Sequence, residues 1–268
     1  MRPGRSSATA LLVAISVVRA GAAHGLPPLA IGIARRAVAS ARRSSLAMLA
    51  RHRTGRALLA LAERVLLPGL AAHHCARKAW LWSRLRTPPV MGGPVIWAGV
   101  GFDGLGRALL AEAPDATVIE TDHPATLQRR RAVLGDTAVP MRAIILPGQI
   151  DDLAGLCAMR PATLVCDGVL MYLPERDVLR MLGRLAGLPS PPRLVFSALE
   201  PLQPGGAGFR RATPWVRRWL ARQGEPFRWR ARPERARRVL ARAGYTVVAQ
   251  WDGRGYGEYM IEATPAAR

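Results

Sequence analysis

Lysine is almost missing from this chain. Of its 39 basic side chains only Lys78 is a lysine, so the formal net charge of +21 is carried by arginine. Acid is scarce at the front, where Glu63 is the only acidic residue before Asp103. Three cysteines, Cys75, Cys157 and Cys166, without Cys-x-x-Cys spacing exclude a disulfide framework and a thiolate metal site. They fit a reduced, cytoplasmic setting. The five histidines, His24, His52, His73, His74 and His123, show no metal-ligand spacing with any cysteine, and no metal is expected. No uncharged apolar run reaches eighteen residues, so no membrane-spanning helix is expected.

What is present is apolar surface in quantity. Half of the 268 residues are hydrophobic, enough for one α/β domain with an added segment. The arginine excess, beside much Ala, Gly and Pro, is the composition of a GC-rich genome; it would also attract nucleic acid, a membrane surface or an acidic substrate. In 210-RRATPWVRRWLARQGEPFRWRARPERARRVLARAG-244 arginine and tryptophan recur together. That pattern suits a phosphate backbone with stacked bases, or a solvated helix face over buried tryptophans. No RNA-binding or zinc signature accompanies it, so the second reading is preferred and nucleic acid is not the expected partner. The opening 1-MRPGRSSATALLVAISVVRAGAAHG-25 superficially resembles a secretory signal, but Arg19 interrupts it before the small-residue site. Ala10, Leu11, Ala14, Ile15 and Val18 share one helical face, which predicts a folded amphipathic helix.

From about residue 7 to 90 the pattern is helical, broken at 25-GLPP-28, 68-PG-69 and 87-TPP-89. After that, strand and helix signals alternate. Strands are expected at 94–98, 116–121, 142–147, 162–167 and 192–199, with helices at 103–113, 125–134, 150–158 and 175–187. Such alternation predicts a parallel sheet covered on both faces. A helix at 233–244 precedes two strand-like runs, 245–251 and 256–263, joined by 252-DGRG-255, which predicts an antiparallel hairpin. The long segment 200–232 reads as a substrate-covering insert.

The chemistry centres on 95-VIWAGVGFDGLG-106. Gly99, Gly101 and Gly104 form a Gly-x-Gly-x-x-Gly run after an apolar strand, and 117-TVIETDHP-124 follows with Glu120 and Asp122. This is a nucleotide-binding fingerprint. In a dinucleotide site the helix after the loop receives a pyrophosphate. Asp103 lies in that loop, where a carboxylate caps the helix itself and repels a pyrophosphate. S-adenosylmethionine (SAM) has no phosphate and bears an ammonium and a sulfonium, so it tolerates such an acid. Glu120 and Asp122, two apart on a strand, share a face and are both candidates for the ribose hydroxyls.

The runs 97-WAGVGFDGL-105, 118-VIETDHPAT-126 and 164-LVCDGVLMYLPE-175, in that order, resemble the leucine carboxyl methyltransferase family, a class I group of SAM-dependent methyltransferases. The resemblance covers about residues 7–200 and the terminal hairpin. It implies a Rossmann-like class I fold: a mostly parallel seven-stranded sheet with a C-terminal antiparallel hairpin (91–268) and a helical N-terminal extension (1–90). By the same resemblance Gly99 and Gly101 lie against the methionine part of SAM, and Asp122, supported by Glu120, binds the ribose. Arg77, or Lys78 if the register shifts by one, meets the SAM carboxylate; a guanidinium fork suits a planar carboxylate. Asp167, where the family has Glu, and Gly168 stand beside the amino group, and Tyr172 closes the crevice on the substrate side. Gln149, with Ile150, occupies the place of an acid that meets the adenine, with Asp151 the alternative. Around 26-LPPLAIG-32, Pro27-Pro28 replaces an acidic Asp-Pro pair.

A carboxylate acceptor would need no base, whereas a hydroxyl would call on Tyr172, His123 or an acid in the insert. The expectation is methyl transfer to a carboxyl or hydroxyl oxygen of a small molecule. The rival readings are an NAD-binding oxidoreductase and a basic nucleic-acid-binding protein with a degenerate cofactor fold.

Overall fold

The computed structural model describes residues 8–41, 44–87, 93–135, 139–144, 146, 148–158, 161–201, 218, 222, 227–253 and 255–266. Most of the expected 200–232 insert therefore lies outside the described residues. Five helices come first: α1 (Ala8–Ala20), α2 (Pro28–Ser40), α3 (Ser45–Arg51), α4 (Arg53–Leu66) and α5 (Leu70–Leu85). The breaks at 25–28 and 68–69 fall where the Gly/Pro signals put them. The breaks before α3 and at His52 carry no such signal. Ser44 starts α3 by accepting the Ala47 amide at 3.4 Å, a serine cap without a proline or glycine. In α1, Leu11, Ala14, Ile15 and Val17 are buried against Ala34, Ala37, Val38 and Cys75 from α2 and α5.

The sheet follows. Strands β1 (Val95–Ala98), β2 (Val118–Asp122), β3 (Met141–Ala143), β4 (Thr163–Cys166), β5 (Arg193–Leu199), β6 (Tyr245–Gly253) and β7 (Glu258–Pro265) lie in the order β3-β2-β1-β4-β5-β7-β6. The first five pair in parallel, and β7 runs antiparallel to both β5 and β6. The helices between them are α6 (Leu105–Glu112), α7 (Pro124–Leu134), α8 (Ile150–Cys157), α9 (Glu175–Ala186) and α10 (Pro233–Arg242). β3 is shorter than the expected 142–147. Its Met141 and Arg142 belong to an edge strand with partly open side chains, and the last bond to β2 is the Ile144 amide on the Asp122 carbonyl at 3.0 Å.

Alternation along each strand divides the core. On β1, Ile96 and Ala98 face a cluster with Leu153, Met181 and Leu240 of α8, α9 and α10. Val95 and Trp97 face the other side, against Leu81, Leu85, Leu105 and Leu109 of α5 and α6. In α9 the stripe Val178, Met181, Leu182 and Leu185 is buried at three- and four-residue spacing. Each such aliphatic side chain contributes roughly 1.5–3 kcal/mol when fully buried.

Helix α5 is tied to the antiparallel end of the sheet by charge. Glu258 and Glu262 share one face of β7 and pair with Arg77 and Arg84 of α5. The spacings match: seven residues of helix rise about 10.5 Å, and four residues of strand span about 13 Å. Arg193 of β5 also reaches Glu262, at 2.6 Å. The parallel strands reverse order between β1 and β4, so their carboxyl ends open a crevice there.

Candidate functional site

That crevice is a cavity of about 500 Å3, within the range of about 300–1,000 Å3 usual for small-molecule sites. Its floor is the glycine loop after β1. Gly99 and Gly101 have φ of 69° and 53°, left-handed backbone that favours glycine. A Cβ on Gly99 would overlap the Val169 side chain, and one on Gly104 would come within 2.5 Å of the Ala30 Cα. Helix α2 thus packs directly on the loop.

The loop is bound to β2 by Asp122. Its Oδ2 accepts the Gly101 amide at 2.7 Å and its Oδ1 accepts the His123 amide at 2.6 Å. Burial raises the Asp122 pKa above its ordinary value, and these two amides oppose the rise. Asp103 completes the loop. Its Oδ1 accepts the Leu105 amide at 2.7 Å, at the first turn of α6, and its Oδ2 pairs with Lys78. A carboxylate therefore occupies the helix N-terminus that would otherwise receive a phosphate.

From α5, Arg77 and Lys78 enter a buried ionic network. Arg77 Nε lies 3.0 Å from Asp167 Oδ1, and Arg77 Nη1 donates to Glu258. Lys78 Nζ donates to Asp167 Oδ2 at 3.1 Å. His73 Nε2 meets Glu258 at 2.7 Å, and its ring stacks on Tyr256 with centroids 4.5 Å apart. Burial alone would raise the Asp167 and Glu258 pKa values. Arg77 chiefly outweighs it, with Lys78 at Asp167 and the hydrogen bond of His73 at Glu258, and both carboxyls lie below their ordinary range. Gly168, with φ 71°, donates its amide to Ser197 Oγ at 2.8 Å and turns the chain out of β4.

Arg77, Gly99, Gly101, Asp122, Asp167, Gly168 and Tyr172 all line the cavity. Three expected residues do not. Glu120 shares the face of Asp122 but lies one pleat deeper, beneath α6 and α7. There Arg130 bonds it at 2.5 and 2.8 Å and Arg107 at 3.2 and 3.3 Å, so ribose hydroxyls cannot reach it. The same Arg130 donates to the Gly101 carbonyl at 3.2 Å, which makes Glu120 a support of the loop. Gln149 turns to Asp152, donating at 2.8 Å, and Ile150 is buried in the core between α8 and β1. The wall beyond β3 is made by Ile144 and Leu146 instead.

The opposite half of the cavity is apolar, with Val13, Ala14, Val17, Leu26 and Ala34 from the N-terminal helices and their connection. Tyr172 stacks on Phe227 there, centroids 5.4 Å apart, and Arg228 joins the wall. His74, absent from the sequence-based set, also lines it. Its Nδ1 is 2.9 Å from Ser16 Oγ, and that hydroxyl donates to the Leu12 carbonyl at 3.1 Å. Burial, then Arg77, His73 and Lys78, hold the His74 pKa well below 6.5, so the ring is neutral. Its spacing of three and four residues from Arg77 and Lys78 was the available signal. Glu258 had a fainter one, an acid within an apolar strand. Among the described residues no group of His, Cys, Asp or Glu could hold a metal ion.

This sheet order with an antiparallel β7 is the class I methyltransferase fold. The chain is similar to a solved S-adenosylmethionine-dependent methyltransferase from Mesorhizobium loti, with TM-score 0.51 and 16% identity over 71% of this chain and 99% of that one. The magnesium protoporphyrin IX methyltransferase ChlM from Synechocystis, solved with bound SAH, matches with TM-score 0.46 and 19% identity over 74% of this chain and 85% of that one. The pyocyanin biosynthetic protein PhzM matches with TM-score 0.46 and 18% identity; it is longer, and 82% of this chain spans 66% of it. No protein-family profile matches the chain, and no curated protein does.

Proposed function

We propose that this protein is a SAM-dependent methyltransferase that methylates a hydroxyl oxygen on a largely apolar small molecule. The observation that carries the reading is Asp103, whose carboxylate fills the α6 N-terminus and pairs with Lys78. A pyrophosphate would find that position taken and negative, which disfavours NAD. The residues present fit SAM. Asp122 suits the ribose hydroxyls, Asp167 the amino group, Arg77 or Lys78 the carboxylate, and Ile144 and Leu146 the flat adenine. Glycines 99 and 101 allow close backbone approach. When bound, SAM supplies an electrophilic methyl group on a cationic sulfur.

The chain's own work is then alignment, exclusion of water and proton management. The apolar wall from α1 and α2 seats the acceptor. His74 supports a hydroxyl over a carboxylate, because a neutral imidazole on the cavity wall can exchange a hydrogen bond with a hydroxyl and offers a carboxylate no opposite charge. On the cofactor side the resemblance to leucine carboxyl methyltransferases is supported by Arg77, Gly99, Gly101, Asp122 and Asp167, which line the cavity, while the acceptor side favours a protic group. A cytoplasmic enzyme with 1–90 as cap and 91–268 as cofactor domain follows from this reading.

Calorimetric titration with S-adenosylhomocysteine and with NAD tests the cofactor. Micromolar binding of the first and none of the second is expected; NAD binding without a response to S-adenosylhomocysteine overturns the proposal. Labelled-methyl transfer to a panel of phenols and matched aryl carboxylic acids tests the acceptor, with the phenols expected to react.

A further inference from the structure

Outside the cavity, the least explained surface is α4. Leu58, Leu61 and Val65 are 58%, 60% and 69% exposed, and their spacing of three and four puts them in one row. Met48 and Leu49 of α3, the helix on which α4 mainly packs, are exposed too. Beside the apolar row runs a second one, Arg53, Ala57 and Arg64, also exposed. Among the described residues no carboxylate pairs with Arg53, Arg56 or Arg64. The nearest acid, Glu63, is turned inward, bonded to Arg19 at 2.5 Å and to the Ala71 amide at 2.8 Å.

We propose that α4 with the adjoining end of α3 is a docking surface for an anionic lipid bilayer. Charge complementarity selects the occupant. A second copy of this chain would set arginine rows against arginine rows, in a region whose only acid is already paired. Nucleic acid would use the arginines but leaves an aliphatic row with nothing to stack on. A lipid surface uses both, with leucines in the headgroup–acyl boundary and arginines among phosphates. At 14 residues the helix is about 21 Å long, enough to lie flat in that boundary. No helix among the described residues is long and apolar enough to cross a membrane, so the contact is peripheral. The inference stands apart from the methyltransferase reading, since no residue of α4 lines the cavity.

The test is co-sedimentation of the full chain with vesicles of phosphatidylcholine alone, or with phosphatidylglycerol as about a third of the lipid, where roughly tenfold tighter binding is expected. The whole molecule is strongly basic, so the decisive variant keeps the charge. Leu61→Gln with Val65→Gln should lose most of the binding to the anionic vesicles. Arg53→Gln with Arg64→Gln should weaken it and reduce its salt sensitivity. All four side chains are exposed, and circular dichroism checks the fold; should the first pair misfold, the second decides. Undiminished binding by either folded pair overturns the proposal. So does a wild-type dimer in sedimentation equilibrium that Leu61→Gln with Val65→Gln converts to monomer.

Discussion

Asp122 holds the glycine loop by accepting the Gly101 amide at 2.7 Å, while its other oxygen accepts the amide of His123. The carboxylate thus shapes the loop before any ligand arrives and stands at the cavity edge where ribose hydroxyls would meet it. Asp122→Ala removes both roles. Bonds to a charged acceptor are worth about 1.5–3 kcal/mol each, so S-adenosylhomocysteine affinity should fall by roughly tenfold to more than a hundredfold. Gly101→Arg should abolish binding, because φ is 53° and a Cβ would lie 3.1 Å from that of Ala10. Calorimetry on folded protein reads both, and unchanged affinity in both removes the site assignment.

Glu120 should behave oppositely, as a stabiliser with an indirect effect on ligand. It is fully buried between Arg107 and Arg130, and Arg130 is fully buried as well. Glu120→Ala leaves buried cations unpaired, a change that destabilises by about 3–5 kcal/mol. Urea unfolding should show that loss. Replacing the whole triad, as in Glu120→Leu with Arg107→Met and Arg130→Met, should recover much of it. A Glu120→Ala protein of normal stability would contradict the buried network.

Much of this was legible beforehand because period and order survive in sequence. The apolar runs placed the strands, the terminal Asp-Gly-Arg-Gly turn marked the hairpin, and the glycine run with the acid after β2 pointed to Gly99, Gly101 and Asp122, while Arg77 and Asp167 were reached through the family resemblance. Depth was not legible. Alternation gives Glu120 and Asp122 the same face but does not say that α6 and α7 cover the first and spare the second. Gln149 and Ile150 were misplaced for a related reason: β3 ends at Ala143, and the chain reaches the cavity rim at Ile144 and Leu146, ahead of them. His74 depends on α5 lying against α1, and Glu258 on α5 reaching β7, long-range contacts that a local pattern does not fix.

Stability should decline as pH falls below about 6.5. In the fold His74 is held well below that value, by burial first and then by Arg77, His73 and Lys78. The unfolded chain takes up the proton sooner, so protonation favours unfolding across that window. Glu120, Asp167 and Glu258, all lowered in the fold, add a second decline below their ordinary values near 4, lost as pH falls through the folded ones. Asp122 is raised and works the other way, softening the acid limb. Urea midpoints measured from about pH 8 to pH 5 should fall for the wild type and stay flatter for His74→Asn. Equal slopes in the two proteins would mean that another group titrates.

The same histidine separates the two candidate acceptors. If the His74 ring takes a hydroxyl proton, His74→Asn should lower kcat on a phenolic substrate by about 10²–10⁴-fold, the usual contribution of a positioned base. S-adenosylhomocysteine affinity should hold, because the ion pairs of Arg77 and Lys78 do not involve the ring. Ser16→Ala is the finer probe. It deletes the hydroxyl that lies 2.9 Å from Nδ1 and so loosens the hold on the ring's orientation. Activity should drop by a smaller factor in Ser16→Ala, at an unchanged cofactor affinity. Ser16→Thr, which restores a hydroxyl, should regain part of it. A carboxylate acceptor would need none of this chemistry, and full activity in His74→Asn on the best substrate would return the assignment to a carboxyl oxygen.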